Sequence, residues 1–205
     1  MISFLSRPFI LIHLAGLALV PFCLLLVWIG LAVCEPMAPW DVKMILIALI
    51  GTIPMGYMQF TRPFYIYNIL FFSLYPEVLD TEQRKILTLL KTKKVRVFTL
   101  IASILMLLIL GQIYRLIPLA VTLPFVINQW SIIGFLVAVL AFMISNLFFQ
   151  VPISLLSIIF ISEQKFKEVS PYSPESIKQE FTIVGFQLKD ILKLNRNREL
   201  SNLNN

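Results

Sequence analysis

Few residues in this chain are equipped for chemistry, and their spacing narrows what they can do. The only histidine, His13, lies inside a long apolar run, about 7 Å along if a helix begins at Pro8. An imidazole placed there packs, hydrogen-bonds a neighbouring carbonyl, or ligates the magnesium of a pigment. One histidine with no carboxylate in the apolar runs excludes a zinc site of the His-Glu-x-x-His kind. No serine or cysteine stands in the sequence context of an activated nucleophile, and the seven glycines are scattered rather than gathered into a phosphate loop. The chain reads as a non-enzyme with no required cofactor.

The other informative residues are neutral and polar. Asn146, Gln150, Ser154 and Ser157 are spaced 4, 4 and 3, which on a helix keeps them within about 80° of one face. That face is expected to look inward. Thr52, Gly56 and Gln59 share a side of another run, with Pro54 between them, so close approach and interhelical hydrogen bonds are available. Such a stripe is either glue between helices or the lining of a solute path, and no Asp, Glu or Lys lies deep enough to relay an ion or proton.

The elements that must carry these residues follow from composition. Of 205 residues 59% are hydrophobic and 14% charged, with a mean hydropathy of +0.87, too little polar surface for a soluble globule of this size. A spanning helix needs about 20 apolar residues, and four segments qualify: 9–33, 43–60, 97–117 and 131–161. The fold class is therefore all-α, an integral membrane four-helix bundle over residues 1–161 with a cytoplasmic tail at 162–205. The first segment is expected to be a helix rather than a cleaved signal peptide, because its uncharged run is too long for one. Cys23 and Cys34 are eleven apart on one helix, roughly 16 Å, so they cannot bond each other.

Fifteen of the 17 Lys and Arg fall before the first helix, in the 61–96 connection or after Ser162. Only Lys43 and Arg115 lie on the other side, at helix ends where they can snorkel. The positive-inside rule puts both termini and the 61–96 connection in the cytoplasm or stroma.

Most of the polar chain is on that side. Arg62-Pro63 ends the second helix and turns the chain, since proline lacks the N–H a continuing helix needs. "FYIYNILFFSLY" after it is too short to span, so it is expected to lie along the membrane surface, with Tyr65, Tyr67 and Tyr75 at headgroup depth. Arg62, Pro63, Phe64, Tyr65 and Tyr67 are expected to shape a docking face, directly or by fixing this interfacial helix. "LDTEQRKILTLLKTKK" predicts a short amphipathic helix capped by Asp80 or Thr81. Its basic end, Lys91, Lys93, Lys94 and Arg96, suits anionic lipid or an acidic partner. Nucleic acid is not expected, because no aromatic residues are interleaved with these charges. In the tail, Ser173-Pro174 opens a helix expected over 175–194, with Phe181, Val184, Leu188, Ile191 and Leu192 at helical spacing.

"SRPFILIHLAGLALVPF", "VWIGLAVCEP" and especially "MQFTRPFYIYNILFFSLYPEVLDTEQRKILTLLKT" resemble the cyanobacterial low-complexity tail membrane proteins and their plastid relative, the acclimation of photosynthesis to environment protein. The similarity covers about residues 3–160, and the Arg62-to-Lys91 block is its most specific part. The resemblance implies a thylakoid accessory protein without enzymatic activity, associated with photosystem II subunits and with acclimation to changing light. Two other classes stand beside it. A small transporter would set the Asn146/Gln150 face, continued by Ser154, against Thr52 and Gln59, and a pigment-binding protein would use His13.

Overall fold

The computed structural model describes residues 8–34, 40–69, 72–121, 131–159 and 161–188. Within them the chain is predominantly helical. Helix α1 is Pro8–Val33, with one 3-10 turn at Gly16–Leu19. Helix α2 is Trp40–Thr61, α3 is Thr81–Leu90, α4 is Lys93–Arg115 and α5 is Ile117–Val121. Helix α6 is Ser131–Ile159, followed by two short helices, α7 at Glu163–Glu168 and α8 at Pro174–Glu180.

Four of these, α1, α2, α4 and α6, are long and apolar enough to cross a membrane. Helix α6 packs on each of the other three. Its contact with α1 depends on paired glycines: a methyl group on Gly30 would lie 2.6 Å from the Gly134 carbonyl, and one on Gly134 would lie 2.8 Å from Val33. Two backbones therefore approach closely where dispersion and weak backbone contacts replace the hydrophobic effect. Val27, Leu31, Ile47, Met106, Ala138 and Phe142 fill the bundle core. Outward, Phe22, Leu108 and Ile132 are each more than 60% exposed, a surface compatible with lipid and costly in water. These helices fit an integral membrane protein.

The 61–96 connection and the tail depart from the sequence-based expectation. The described residues of 64–75 form no interfacial helix. Instead β1 (Asn68–Ile69) pairs antiparallel with β2 (Phe72–Leu74), and β2 pairs in parallel with β3 (Phe186–Leu188) from the tail. Tyr65 and Tyr67 are buried inside the protein, 0% and 2% exposed. Aromatic residues suit a strand as well as an interface, and the tail supplies β2 with a second strand partner beside the local one, β1.

The tail helix expected over 175–194 stops at Glu180. Phe181 is already extended at φ −121° and ψ 150°, and Gly185 takes φ 90° before β3. Phe181 is buried but Val184 is 46% exposed, so the apolar spacing there does not mark one helical face. Residues 189–194 of the expected helix lie outside the described residues. Helix α3 begins where its cap predicts: the Gln83 N–H donates to Asp80 Oδ1 at 2.7 Å, and the Asp80 N–H to Gln83 Oε1 at 3.0 Å.

Candidate docking cap and buried polar seam

The 62–91 connection and the tail fold together into one cap at an end of the bundle. Pro63 ends α2, and its carbonyl accepts the Thr182 N–H at 3.0 Å; the Tyr65 N–H donates back to the Thr182 carbonyl at 3.1 Å. The Thr182 hydroxyl donates to the Arg62 carbonyl at 2.7 Å, and Asn68 Nδ2 to the Thr182 carbonyl at 3.4 Å. A single tail residue thus satisfies several of the backbone groups exposed by the break at Pro63.

The aromatic residues are the core of this cap. Tyr65 donates its hydroxyl to the Leu74 carbonyl at 3.1 Å and Tyr67 to the Gln83 carbonyl at 3.2 Å. Their rings meet edge-to-face at 5.6 Å, and Tyr67 meets Phe9 of α1 at 5.5 Å, geometry that aromatic quadrupoles favour. Burial, with Tyr67 beside it, pushes the Tyr65 phenol far above its ordinary pKa. Ile86, Leu87, Leu90, Phe166, Ile177 and Phe181 complete the core, which runs into the bundle at Ile10, Val151 and Leu155.

The cap is also fastened at its rim. Lys85 Nζ donates to the Lys167 carbonyl at 2.7 Å, and the Thr88 hydroxyl to the Ser170 carbonyl at 2.8 Å. Lys91 pairs with Glu180, which also accepts from Tyr172 at 2.6 Å. These two bonds hold the Glu180 carboxyl below the usual carboxylate range. Burial and the same carboxylate push the Tyr172 phenol up to about 12. Lys178 bridges Glu77 at 3.0 Å and the Tyr75 hydroxyl at 2.9 Å.

These contacts sort the expected docking residues. Arg62 is exposed, Phe64 half-buried, and Pro63, Tyr65 and Tyr67 buried. The last three shape the cap from within and present no surface of their own. Of the four basic residues expected to meet lipid, Lys91 is engaged with Glu180, while Lys93, Lys94 and Arg96 are exposed. Phe72 and Phe186, which the sequence reading did not single out, are cross-strand partners and are 53% and 76% exposed.

His13 is half-buried at the cap's edge. Its Nδ1 donates to the Phe9 carbonyl at 2.8 Å, and its ring lies 5.9 Å from that of Phe64. This bond puts the proton on Nδ1. At the opposite end of the bundle Lys43 is buried, with Nζ 3.0 Å from the Cys34 carbonyl at the end of α1. It caps that helix, as a cation near a C-terminus does.

The polar stripe of α6 faces inward, with Asn146, Gln150, Ser154 and Ser157 all buried. Its side-chain hydrogen bonds to another helix reach α4. Gln150 Nε2 donates to Ser103 Oγ at 3.0 Å and to Asn146 Oδ1 at 3.2 Å, and Ser154 Oγ lies 3.2 Å from Thr99 Oγ1. Asn146 returns its amide to the Phe142 carbonyl at 3.0 Å. Thr99 and Ser103 went unnoticed in the sequence, although two hydroxyls four residues apart in an apolar helix are a legible signal. From α2, Gly56 comes close: a methyl group there would lie 3.8 Å from Ser103 Oγ. Gln59 accepts the Phe64 N–H at 3.4 Å through Oε1, tying the seam to the cap.

Among the described residues no group of three or more His, Cys, Asp or Glu side chains is placed to hold a metal ion. No curated protein and no solved structure matches this chain. A family model, low-complexity tail membrane protein-like, matches residues 6–193, taking in all four long helices and the whole described cap. The chain belongs to the low-complexity tail membrane protein-like family.

Proposed function

We propose that this protein is a non-catalytic accessory of the thylakoid membrane that associates with photosystem II subunits and supports that complex's assembly, accumulation or adjustment to changing light. The observation that carries a docking role is the exposed pair Phe72 and Phe186, held side by side on the cap by strand register. Exposed apolar side chains rimmed by charge are typical of interaction surfaces. Arg62, exposed just after α2, adds a cation to the surface of the cap. The photosystem partner rests on the resemblance of the Arg62-to-Lys91 block to the cyanobacterial and plastid proteins.

In this reading both termini and the cap are cytoplasmic or stromal, because the basic residues concentrate there. Lys93, Lys94 and Arg96 meet anionic headgroups at the start of α4. Three cations in a first helical turn oppose the helix dipole, so a surface of negative charge offsets that cost.

A mild-detergent pull-down of a tagged copy from native membranes, with mass spectrometry and an absorption spectrum, tests the proposal. Photosystem II subunits are expected with the wild type and lost with Phe72→Ser combined with Phe186→Ser. Co-purification that survives both substitutions and Arg62→Ala, in protein that still inserts, rules the cap out as the docking face. Chlorophyll beyond what those subunits carry would assign His13 a pigment.

A small transporter is the second reading, and one observation favours it. Thr52 Oγ1, Gln59 Nε2 and Gln150 Oε1 are buried without a hydrogen-bond partner among the described residues. Its test is solute uptake that substitution of these residues abolishes while folding persists.

A further inference from the structure

We infer that the seam between α2, α4 and α6 is a binding site for internal water, built around Thr52, Gln59 and Gln150. The three residues are 9%, 5% and 0% exposed, and each keeps one polar atom without a partner among the described residues: a hydroxyl, an amide N–H and an amide oxygen. They lie along one stretch of the seam, about two turns of α2 long. Gln150 bonds Ser103, which lies opposite Gly56, and Thr52 and Gln59 flank Gly56 on the same side of α2, one turn before it and three residues after.

The backbone adds to the demand. Pro152 is buried in α6 and Pro54 sits within α2. Neither can donate to the carbonyl one turn earlier, so Phe148 and Ile50 lose their usual intrahelical donors. Only the break at Pro152, two residues past Gln150, lies in the buried interior and adds to the demand of the seam; Pro54 and Ile50 are on the exposed side of α2. A polar group left unpaired at membrane depth costs several kcal/mol. A ligand that offsets this must both donate and accept, must be neutral because no ionised side chain is among the seam residues, and must be small. Water meets all three conditions, and a buried water with two to four polar partners is ordinary protein structure.

The inference does not depend on docking at the cap or on any solute crossing the membrane. It makes the seam a wet, proline-broken joint among otherwise close-packed helices. The test is solid-state NMR of the isotope-labelled full chain in lipid bilayers, reading magnetisation transfer from water to side chains. Cross-peaks from water to the Gln150 and Gln59 amides are expected, with none to the Ala138 methyl, which is buried in the dry core. Gln150→Leu should abolish the Gln59 cross-peak. If that variant does not fold, Gln59→Met leaves the α4–α6 hydrogen bond intact and should weaken the Gln150 cross-peak several-fold. Gln150 and Gln59 amides as dry as Ala138 in the wild type would overturn the inference, as would cross-peaks that neither substitution changes.

Discussion

Thr182 holds Arg62 from the far side of the chain: the threonine hydroxyl donates to the arginine carbonyl at 2.7 Å across 120 positions of sequence. The same threonine exchanges backbone bonds with Pro63 and Tyr65, so one tail residue closes the cap. Thr182→Val removes only the hydroxyl bond and is expected to cost about 1 kcal/mol. Thr182→Pro also removes the N–H that Pro63 accepts and should release the tail. Limited proteolysis of the detergent-solubilised protein reads the difference: cleavage between 162 and 188 is expected to be slow in the valine variant and fast in the proline variant.

Tyr65 separates packing from hydrogen bonding. Tyr65→Phe keeps the buried ring and loses the bond to the Leu74 carbonyl, at a cost of about 1 kcal/mol. Tyr65→Ala empties a fully buried site and is expected to cost about 3–5 kcal/mol. Thermal unfolding followed by near-UV circular dichroism ranks the two, and equal losses would show that the ring contributes little.

The Lys91–Glu180–Tyr172 cluster makes the cap sensitive at both pH extremes. The bonds from Lys91 and Tyr172 hold the Glu180 pKa in the folded state below its ordinary 4.5, so its contribution is present above that pH and is lost as pH falls through the depressed folded value. The Tyr172 pKa is raised from 10.0 to about 12, so its contribution is full below pH 10 and declines as pH rises from there towards 12. Proteolytic opening of the tail should therefore accelerate in acid and again in strong alkali. Glu180→Gln should flatten the acid limb, and an unchanged acid limb would remove Glu180 from the account.

Gly30 and Gly134 set the distance between α1 and α6. Gly30→Ala would bring its methyl 2.6 Å from the Gly134 carbonyl and 2.9 Å from the Ala138 nitrogen. Backbone must move, and a loss of about 1–3 kcal/mol is expected. Gly111→Ala is the control, since nothing lies within 4 Å of the added methyl; it should be neutral or stabilise by about 0.5–1 kcal/mol. Thermal midpoints in detergent check both.

Orientation is tested by labelling. With Cys23 and Cys34 replaced by alanine, a cysteine at Gln179 and one at Arg115, both exposed, are offered an impermeant maleimide in sealed vesicles of known sidedness. Gln179→Cys is expected to react from the cytoplasmic or stromal face and Arg115→Cys from the opposite one.

Length and apolar composition, read from the sequence alone, determined the four membrane-length helices to within a few residues, because a spanning helix satisfies its own backbone and needs only its own residues to be apolar. The inward face of Asn146, Gln150 and Ser154 was legible for the same reason, as helical spacing is a local property. The cap was not legible in this way. Tyr65 and Tyr67 have the composition of an interfacial segment, and Phe181 to Leu188 the period of a helix. Their burial and extension depend on hydrogen bonds between residues more than 100 positions apart, as between Thr182 and Pro63 or Phe186 and Phe72. Only the tertiary structure decided which backbone groups pair once Pro63 ends a helix, and which cations, such as Lys91, are spent inside the molecule rather than on its surroundings.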